Sequence, residues 1–362
     1  VDALLTELKG QAGALADGPF TVFVGGGTPT VLPDDQLSRL VKAVGEHVDE
    51  SAGVEFTVEA NPATLTTSNA AILRRFGANR ISMGAQSFDP ADLAVLERIH
   101  SPEDIGPGVR IARNAGFEEV NLDLIFAIPG QTMARWLDSL EKALSLEPEH
   151  LACYALTFEP NTVLTAKMQH GRITPCDENL EADMLLAARD RLTSEGFEHY
   201  EVSNYARPGY RCVHNVNYWR NKPYLGVGPS AVSYLDGVRR KNIADWAKYT
   251  TMINETGMAA VESETLSDFH RAGETAWLAL RLADGIDPAL FRIQTGLSAG
   301  DVFAESMARH AADGHLVVND ASIRVSTSGL LLTDLIAADF LNEAMEQDPS
   351  RDRRSRKLPI LG

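Results

Sequence analysis

Val54-Glu55-Phe56-Thr57-Val58-Glu59-Ala60-Asn61-Pro62 alternates apolar and polar residues without a break. Val54, Phe56, Val58 and Ala60 fall on one face of a strand, and Glu55, Thr57, Glu59 and Asn61 on the other. The same period returns twice downstream. Arg80, Ser82, Gly84 and Gln86 oppose Ile81, Met83 and Ala85; Asn121 and Asp123 oppose Leu122, Leu124, Phe126 and Ile128. A parallel strand covered on both faces is apolar on both. Three such strands with one polar face point to a barrel whose interior receives a ligand instead of a Val and Leu packing. An open sheet with one wet face is the alternative.

Working outward, strand-like runs at Thr21–Val24, Val54–Val58, Arg80–Met83, Val120–Phe126 and Leu151–Phe158 alternate with helical patterns. The helices are expected at Asp34–His47, Asn69–Phe76, Pro102–Ala115 and Met133–Leu144. The strand starts lie roughly 26 to 40 residues apart, the span of a βα unit, and this alternation makes a parallel sheet. After about residue 170 the pattern changes. Glu178–Glu195 reads as one long helix, Tyr200–Tyr205 as a strand, and Arg207–Gly228 as a turn-rich loop dense in aromatic residues. Helices are then expected at Ser267–Ala283, Asp287–Thr295 and Gly300–Ala312. A hairpin follows, Leu316–Val318 with Ser322–Val325 around Asn319-Asp320, and then a helix near Gly329–Asn342.

The predicted fold is α/β: a partial (β/α)6 TIM-like barrel with a C-terminal, mainly helical, winged-helix-like domain. Four parts are expected. Residues 1–170 form a barrel lacking its first strand, 171–259 its completion with a ligand-binding loop region, 260–345 the helical domain, and 346–362 a basic, disordered tail. The expectation of a strand ahead of Val1 rests on the opening helix, where Val1, Leu4, Leu5 and Leu8 share a face and feed the strand at Thr21.

Composition limits the function classes. The 362 residues carry a net charge of −17, with 44% hydrophobic and 23% charged residues, as in a well-packed globular chain. No apolar run reaches the ~18 residues of a membrane helix. The acidic balance opposes nucleic-acid binding, which needs clustered Lys and Arg. Residues 261–345 hold 13 acidic side chains against five arginines and no lysine, so the winged-helix pattern does not bring a DNA-binding charge. Cys153, Cys176 and Cys212 have spacings that fit no local metal motif, and three cysteines without a secretory leader suit the reducing cytoplasm.

Several residues stand out as site candidates. Gly25-Gly26-Gly27-Thr28-Pro29 follows the first strand and lets backbone groups approach a ligand with no Cβ between. It also reads as a tight βα turn. Glu59 and Gln86 end successive strands, and Asp123 lies within an apolar one, where a carboxylate must be paired or ligand-bound. Each alone also reads as a salt bridge or cap. Together they mark the C-terminal ends of parallel strands, where sites form. Arg98 offers a fork for a carboxylate, or sits exposed on a helix. Cys212-Val213-His214-Asn215-Val216-Asn217-Tyr218-Trp219 joins an imidazole to large rings that suit a macrocycle, or makes a buried aromatic cluster.

Gly25–Thr30, Val58–Pro62, Arg80–Phe88, Asn121–Thr132 and Tyr200–Gly228 resemble radical S-adenosylmethionine proteins of the oxygen-independent coproporphyrinogen III oxidase group. Glu201-Val202-Ser203-Asn204-Tyr205-Ala206 with His214-Asn215-x-x-Tyr218-Trp219 is similar to the haem chaperone branch of that group. The resemblance implies that Gly26, Gly27 and Thr28 contact the methionine part of S-adenosylmethionine, with Glu59, Gln86, Arg98 and Asp123 around the same ligand. It implies His214 as a haem contact in a pocket shaped by Tyr218 and Trp219. It also implies a 4Fe-4S cluster on a Cys-x-x-x-Cys-x-x-Cys loop, a motif this sequence lacks; the cluster cysteines are expected upstream of Val1. The implied function is a cytoplasmic haem chaperone with a recipient haemoprotein and an electron donor as partners. The alternatives are oxidative decarboxylation of coproporphyrinogen III, and a TIM-like metabolic enzyme that does not bind S-adenosylmethionine.

Overall fold

The computed structural model of the chain describes residues 1–14, 20–48 and 53–349. The expected tail therefore lies, from residue 350 onward, outside the described residues. The elements begin with α1 (Asp2–Gln11), β1 (Val22–Val24), α2 (Asp34–Gly45), β2 (Phe56–Ala60), α3 (Thr67–Arg75), β3 (Arg80–Gln86), α4 (Pro90–Val95) and α5 (Pro102–Asn114). They continue with β4 (Glu119–Phe126), α6 (Met133–Leu144), β5 (His150–Ala155), α7 (Val163–Gln169), α8 (Glu178–Ser194), β6 (Glu198–Glu201), β7 (Asn204–Ala206) and α9 (Val213–Trp219). The last third holds β8 (Val232–Leu235), β9 (Val238–Asn242), α10 (Trp246–Thr256), β10 (Ala260–Thr265) and α11 (Asp268–Ala279). It ends with α12 (Pro288–Thr295), α13 (Ala299–Val302), α14 (Ala304–Ala312), β11 (Leu316–Val318), β12 (Ile323–Val325) and α15 (Thr333–Gln347). No helix among the described residues is long and apolar enough to cross a membrane.

The chain divides into two compact units. The first comprises Val1–Val216 and Asp245–Ala259; the second comprises Asn217–Ala244 and the residues from Ala260 onward. In the first unit a seven-stranded sheet runs in the order β1-β2-β3-β4-β5-β7-β6. Strands β1 to β5 are parallel, and β7 pairs antiparallel with both β5 and β6. This is the mixed α/β architecture of a partial TIM barrel. The predicted strand at Tyr200–Tyr205 is in fact the hairpin β6–β7, so an antiparallel strand occupies the place beside β5.

One face of the sheet makes the core. Phe56, Val58, Ile81, Met83, Leu122, Leu124 and Leu151 are fully buried against Leu37, Val41, Leu73, Trp136 and Leu140 of the surrounding helices. The Trp136 indole donates to the Met184 carbonyl at 2.9 Å, which fixes α6 on α8. Helix starts carry the expected caps: Thr66, Thr132 and Asp177 accept backbone N–H groups at the heads of α3, α6 and α8.

The stretch read as a loop around His214 is the helix α9. Glu55, 158 positions away, accepts the Val213 N–H at 2.7 Å and the His214 N–H at 3.0 Å, so the cap comes from a different element. The second unit holds the three-stranded sheet β10-β9-β8, the hairpin β11–β12 and the helices α11 to α15. The helix expected over Gly300–Ala312 breaks at Phe303, which is fully buried between α13 and α14.

Candidate functional site

The polar faces of β2, β3 and β4 meet at a cavity of about 570 Å³ in the first unit. Its wall includes Glu59 from β2, Arg80, Ser82 and Gln86 from β3, Asn121 and Asp123 from β4, and His150 and Tyr154 from β5. Arg98, beyond α4, and Asn204 of β7 complete the polar lining. Four of the residues singled out in the sequence, Glu59, Gln86, Arg98 and Asp123, thus share one cavity. His150, Tyr154 and Asn204 did not emerge from the sequence. His150 lies one residue ahead of the predicted strand, and it pairs in register with Asn121.

The glycine turn after β1 is fitted to Glu59. A Cβ on Gly25 would lie 2.8 Å from the Glu59 carboxyl carbon and 2.7 Å from the Phe23 ring. Gly26 and Gly27 follow with φ of +79° and +148°, conformations that side chains oppose. The Gly26 N–H donates to the Glu59 carboxylate. Burial, with the nearby Asp123 carboxylate adding to it, pushes Glu59 up to about 7 against that hydrogen bond. Thr28 starts the short 3-10 turn Pro29–Val31. Gln86 holds φ of +63° where β3 slips register against β4, which turns its amide to the cavity.

Asp123 is held by neighbours instead of a salt bridge. Asn121 Nδ2 donates to it at 2.7 Å and Ser82 Oγ at 3.3 Å. Burial raises its carboxyl all the same, and Arg80 and Arg98 pull in the other direction. A directed hydrogen-bond chain leads away from it. Asn121 Oδ1 lies 2.6 Å from His150 Nδ1, His150 Nε2 2.8 Å from the Tyr200 hydroxyl, and the Cys212 N–H donates to that hydroxyl at 3.3 Å. Burial and the Arg80 charge hold the His150 imidazole well below its ordinary range, hence neutral. One arrangement of protons satisfies every atom: Nδ1–H donates to Asn121, and Nε2 accepts from Tyr200.

His214 stands at the start of α9. Its Nδ1 lies 2.8 Å from Thr21 Oγ1, and its ring stacks on Phe23 at 5.3 Å. Burial moves the imidazole below its usual range, which favours the neutral form. His214 does not line the cavity; its neighbours Phe23 and Asn215 do. Tyr218 and Trp219 belong to the second unit. There Tyr218 packs edge-on against Tyr224, the Arg281 guanidinium covers the Trp219 ring at 5.0 Å, and the Trp219 Nε1–H is buried with no hydrogen-bond partner among the described residues.

The chain matches the Radical SAM superfamily over residues 4–143 and the HemN C-terminal domain over residues 266–332. It is 33% identical to the heme chaperone HemW of Bacillus subtilis, over 89% of this chain and 86% of that protein. It is 35% identical to the HemW of Lactococcus lactis, over 89% and 84%. This chain belongs to the HemW family of radical SAM proteins. Among solved structures it is similar to the Escherichia coli coproporphyrinogen III oxidase HemN, with 26% identity, a TM-score of 0.80, and coverage of 94% of this chain and 82% of that one.

The cofactors of this family are S-adenosylmethionine and a 4Fe-4S cluster. The cavity fits the first. Two carboxylates and two guanidiniums on its wall complement a ligand that carries an ammonium, a sulfonium and a carboxylate. Asn204 Oδ1, buried on the cavity wall with no hydrogen-bond partner among the described residues, is an acceptor left for such a guest. The three cysteines do not fit the second. Cys153 and Cys212 are buried, and burial pushes both thiols up, Cys212 to about 12. Among the described residues no metal-sized group of side chains includes a cysteine.

Proposed function

We propose that this chain binds haem and S-adenosylmethionine and delivers haem to a recipient haemoprotein in the cytoplasm, with an electron donor as a further partner. The carrying observation is the cavity itself: Glu59, Gln86, Arg98 and Asp123 share it, and Phe23 and Asn215 join its wall to the start of α9. Bound S-adenosylmethionine supplies an electron-accepting sulfonium. Gly26, Gly27 and Thr28 seat its methionine end, Arg98 takes its carboxylate in a fork, and Glu59 and Asp123 face its cationic groups. Gln86 offers an amide to the same ligand.

Haem is the cargo. His214 contributes a neutral imidazole, a ligand type suited to haem iron, and Thr21 sets its ring through Nδ1. The HemW names of the relatives support this reading.

Haem titration followed at the Soret band is the test. Wild type should bind with a shifted band, and His214→Ala should weaken binding at least tenfold while S-adenosylmethionine still binds by calorimetry. Unchanged haem affinity in that variant overturns the assignment of His214. Loss of propionate carbon from coproporphyrinogen III, catalysed by the reconstituted protein, would replace the chaperone reading with that of HemN.

A further inference from the structure

Where α14 meets β11, the second unit gathers His310, Asp313 and His315, whose ligand atoms all lie within 4.8 Å of one another. His310 is in the last turn of α14, and Asp313 caps that helix. Gly314 then turns with φ of +76°, and His315 leads into β11. The turn is closed by its backbone, since the His315 N–H donates to the His310 carbonyl at 2.8 Å. The two imidazole rings are 6.3 Å apart.

His310 carries the decisive feature. It is 6% exposed, and its Nε2 lies 2.9 Å from Asp339 Oδ2 of α15. Arg309 holds the same carboxylate at 2.7 Å. A carboxylate accepts, so Nε2 carries a proton, and the neutral ring then presents its lone pair at Nδ1. That Nδ1 is buried and has no hydrogen-bond partner among the described residues. A native fold rarely leaves a buried acceptor unmatched without reason. With Nε2 committed to Asp339, Nδ1 is the nitrogen His310 offers to the cluster.

We propose that His310 Nδ1, a carboxylate oxygen of Asp313 and a ring nitrogen of His315 bind a divalent first-row transition ion, Zn²⁺ in the cell. Two imidazoles and one carboxylate select such an ion over Mg²⁺ or Ca²⁺, which take oxygen ligands. Three protein ligands leave one position for water, and exposed Asp313 provides the route in. Asp339 behind His310 completes a carboxylate–histidine–metal series that fixes the tautomer and strengthens the ligand. The ion ties the end of α14 to the hairpin and, through Asp339, to α15. The site shares no residue with the cavity of the first unit and does not depend on the haem reading.

Co²⁺ serves as the spectroscopic probe on the full chain, with Zn²⁺ calorimetry beside it. Wild type should take up one Co²⁺ with visible d–d bands, and Zn²⁺ should displace it. His315→Ala, at a half-buried position, and Asp313→Asn, at an exposed one, should each weaken binding at least tenfold. Asp339→Asn should weaken it about 10-fold through His310. His170→Ala, a remote exposed histidine, should bind as wild type does. Zn²⁺ should raise the melting temperature of wild type and of His170→Ala, not that of His315→Ala. Absence of a stoichiometric Co²⁺ site in wild type overturns the proposal. So does binding that survives both His315→Ala and Asp313→Asn in variants whose circular dichroism matches wild type.

Discussion

Glu59 ends a strand whose residues 54–62 alternate without a fault, and its position follows from that alternation alone. Its protonation does not, because it depends on Gly26 and Asp123, which lie on other elements. The folded chain keeps the Glu59 proton up to about pH 7, against an ordinary value of 4.5. Between those values the folded state binds more protons than the unfolded one, so stability falls as pH rises and levels off above pH 7. Glu59→Gln keeps an acceptor for the Gly26 N–H and removes the titration. In urea melts it should match wild type near pH 5 and exceed it at pH 8 by about 1 kcal/mol, a figure reduced for the solvent at the cavity mouth. A variant less stable than wild type at pH 8 would show that Glu59 is ionised at no cost. In the same pair, S-adenosylmethionine should bind wild type more tightly as pH rises through 7, and the Gln variant without that dependence.

Among the elements, the parallel strands β2, β3 and β4 were legible because a two-residue period survives in Val54–Asn61, Arg80–Gln86 and Asn121–Phe126. α9 was not, since the Val213 and His214 N–H groups at its head end on distant Glu55. The sheet β8–β10 was equally hidden. β10 is exposed along its length, and it pairs by charge: Glu264 lies opposite Arg239 and Glu262 opposite Lys241. The hydrogen-bond chain from Asp123 to Cys212 crosses β4, β5, β6 and the approach to α9, so no single segment of sequence could display it. Its weakest replacement is Tyr200, whose hydroxyl serves both His150 and the Cys212 N–H. Tyr200→Phe keeps the ring and strands both partners in the interior, at an expected cost of about 1–3 kcal/mol in chemical denaturation. A loss under about 0.5 kcal/mol would mean that the hydroxyl is not what satisfies them.

At the scale of the whole molecule, shape and charge point in different directions. The second unit has helices and a hairpin in the order expected of a winged helix, a pattern that would suit a DNA groove. Its charge opposes that use: residues 261–345 carry 13 acidic side chains against five arginines, within a chain of net charge −17. Among the described residues one basic run stands out, β9, where Arg239, Arg240 and Lys241 are consecutive. The first of these is engaged inside the unit, since Arg239 pairs with Glu274 at 2.6 Å and with Glu264 at 3.3 Å, and Lys241 lies in register with Glu262. Releasing counterions from DNA needs cations that are not engaged in this way. The protein should therefore leave a short DNA duplex unshifted in gel retardation at about 50 mM salt and up to roughly 10 µM protein, where a general DNA binder would shift it. Retardation that weakens steeply with added salt would show that β9 is free to bind phosphate. The unit's acidic surface instead suits a partner that presents basic side chains, and association with such a partner should slow as ionic strength rises.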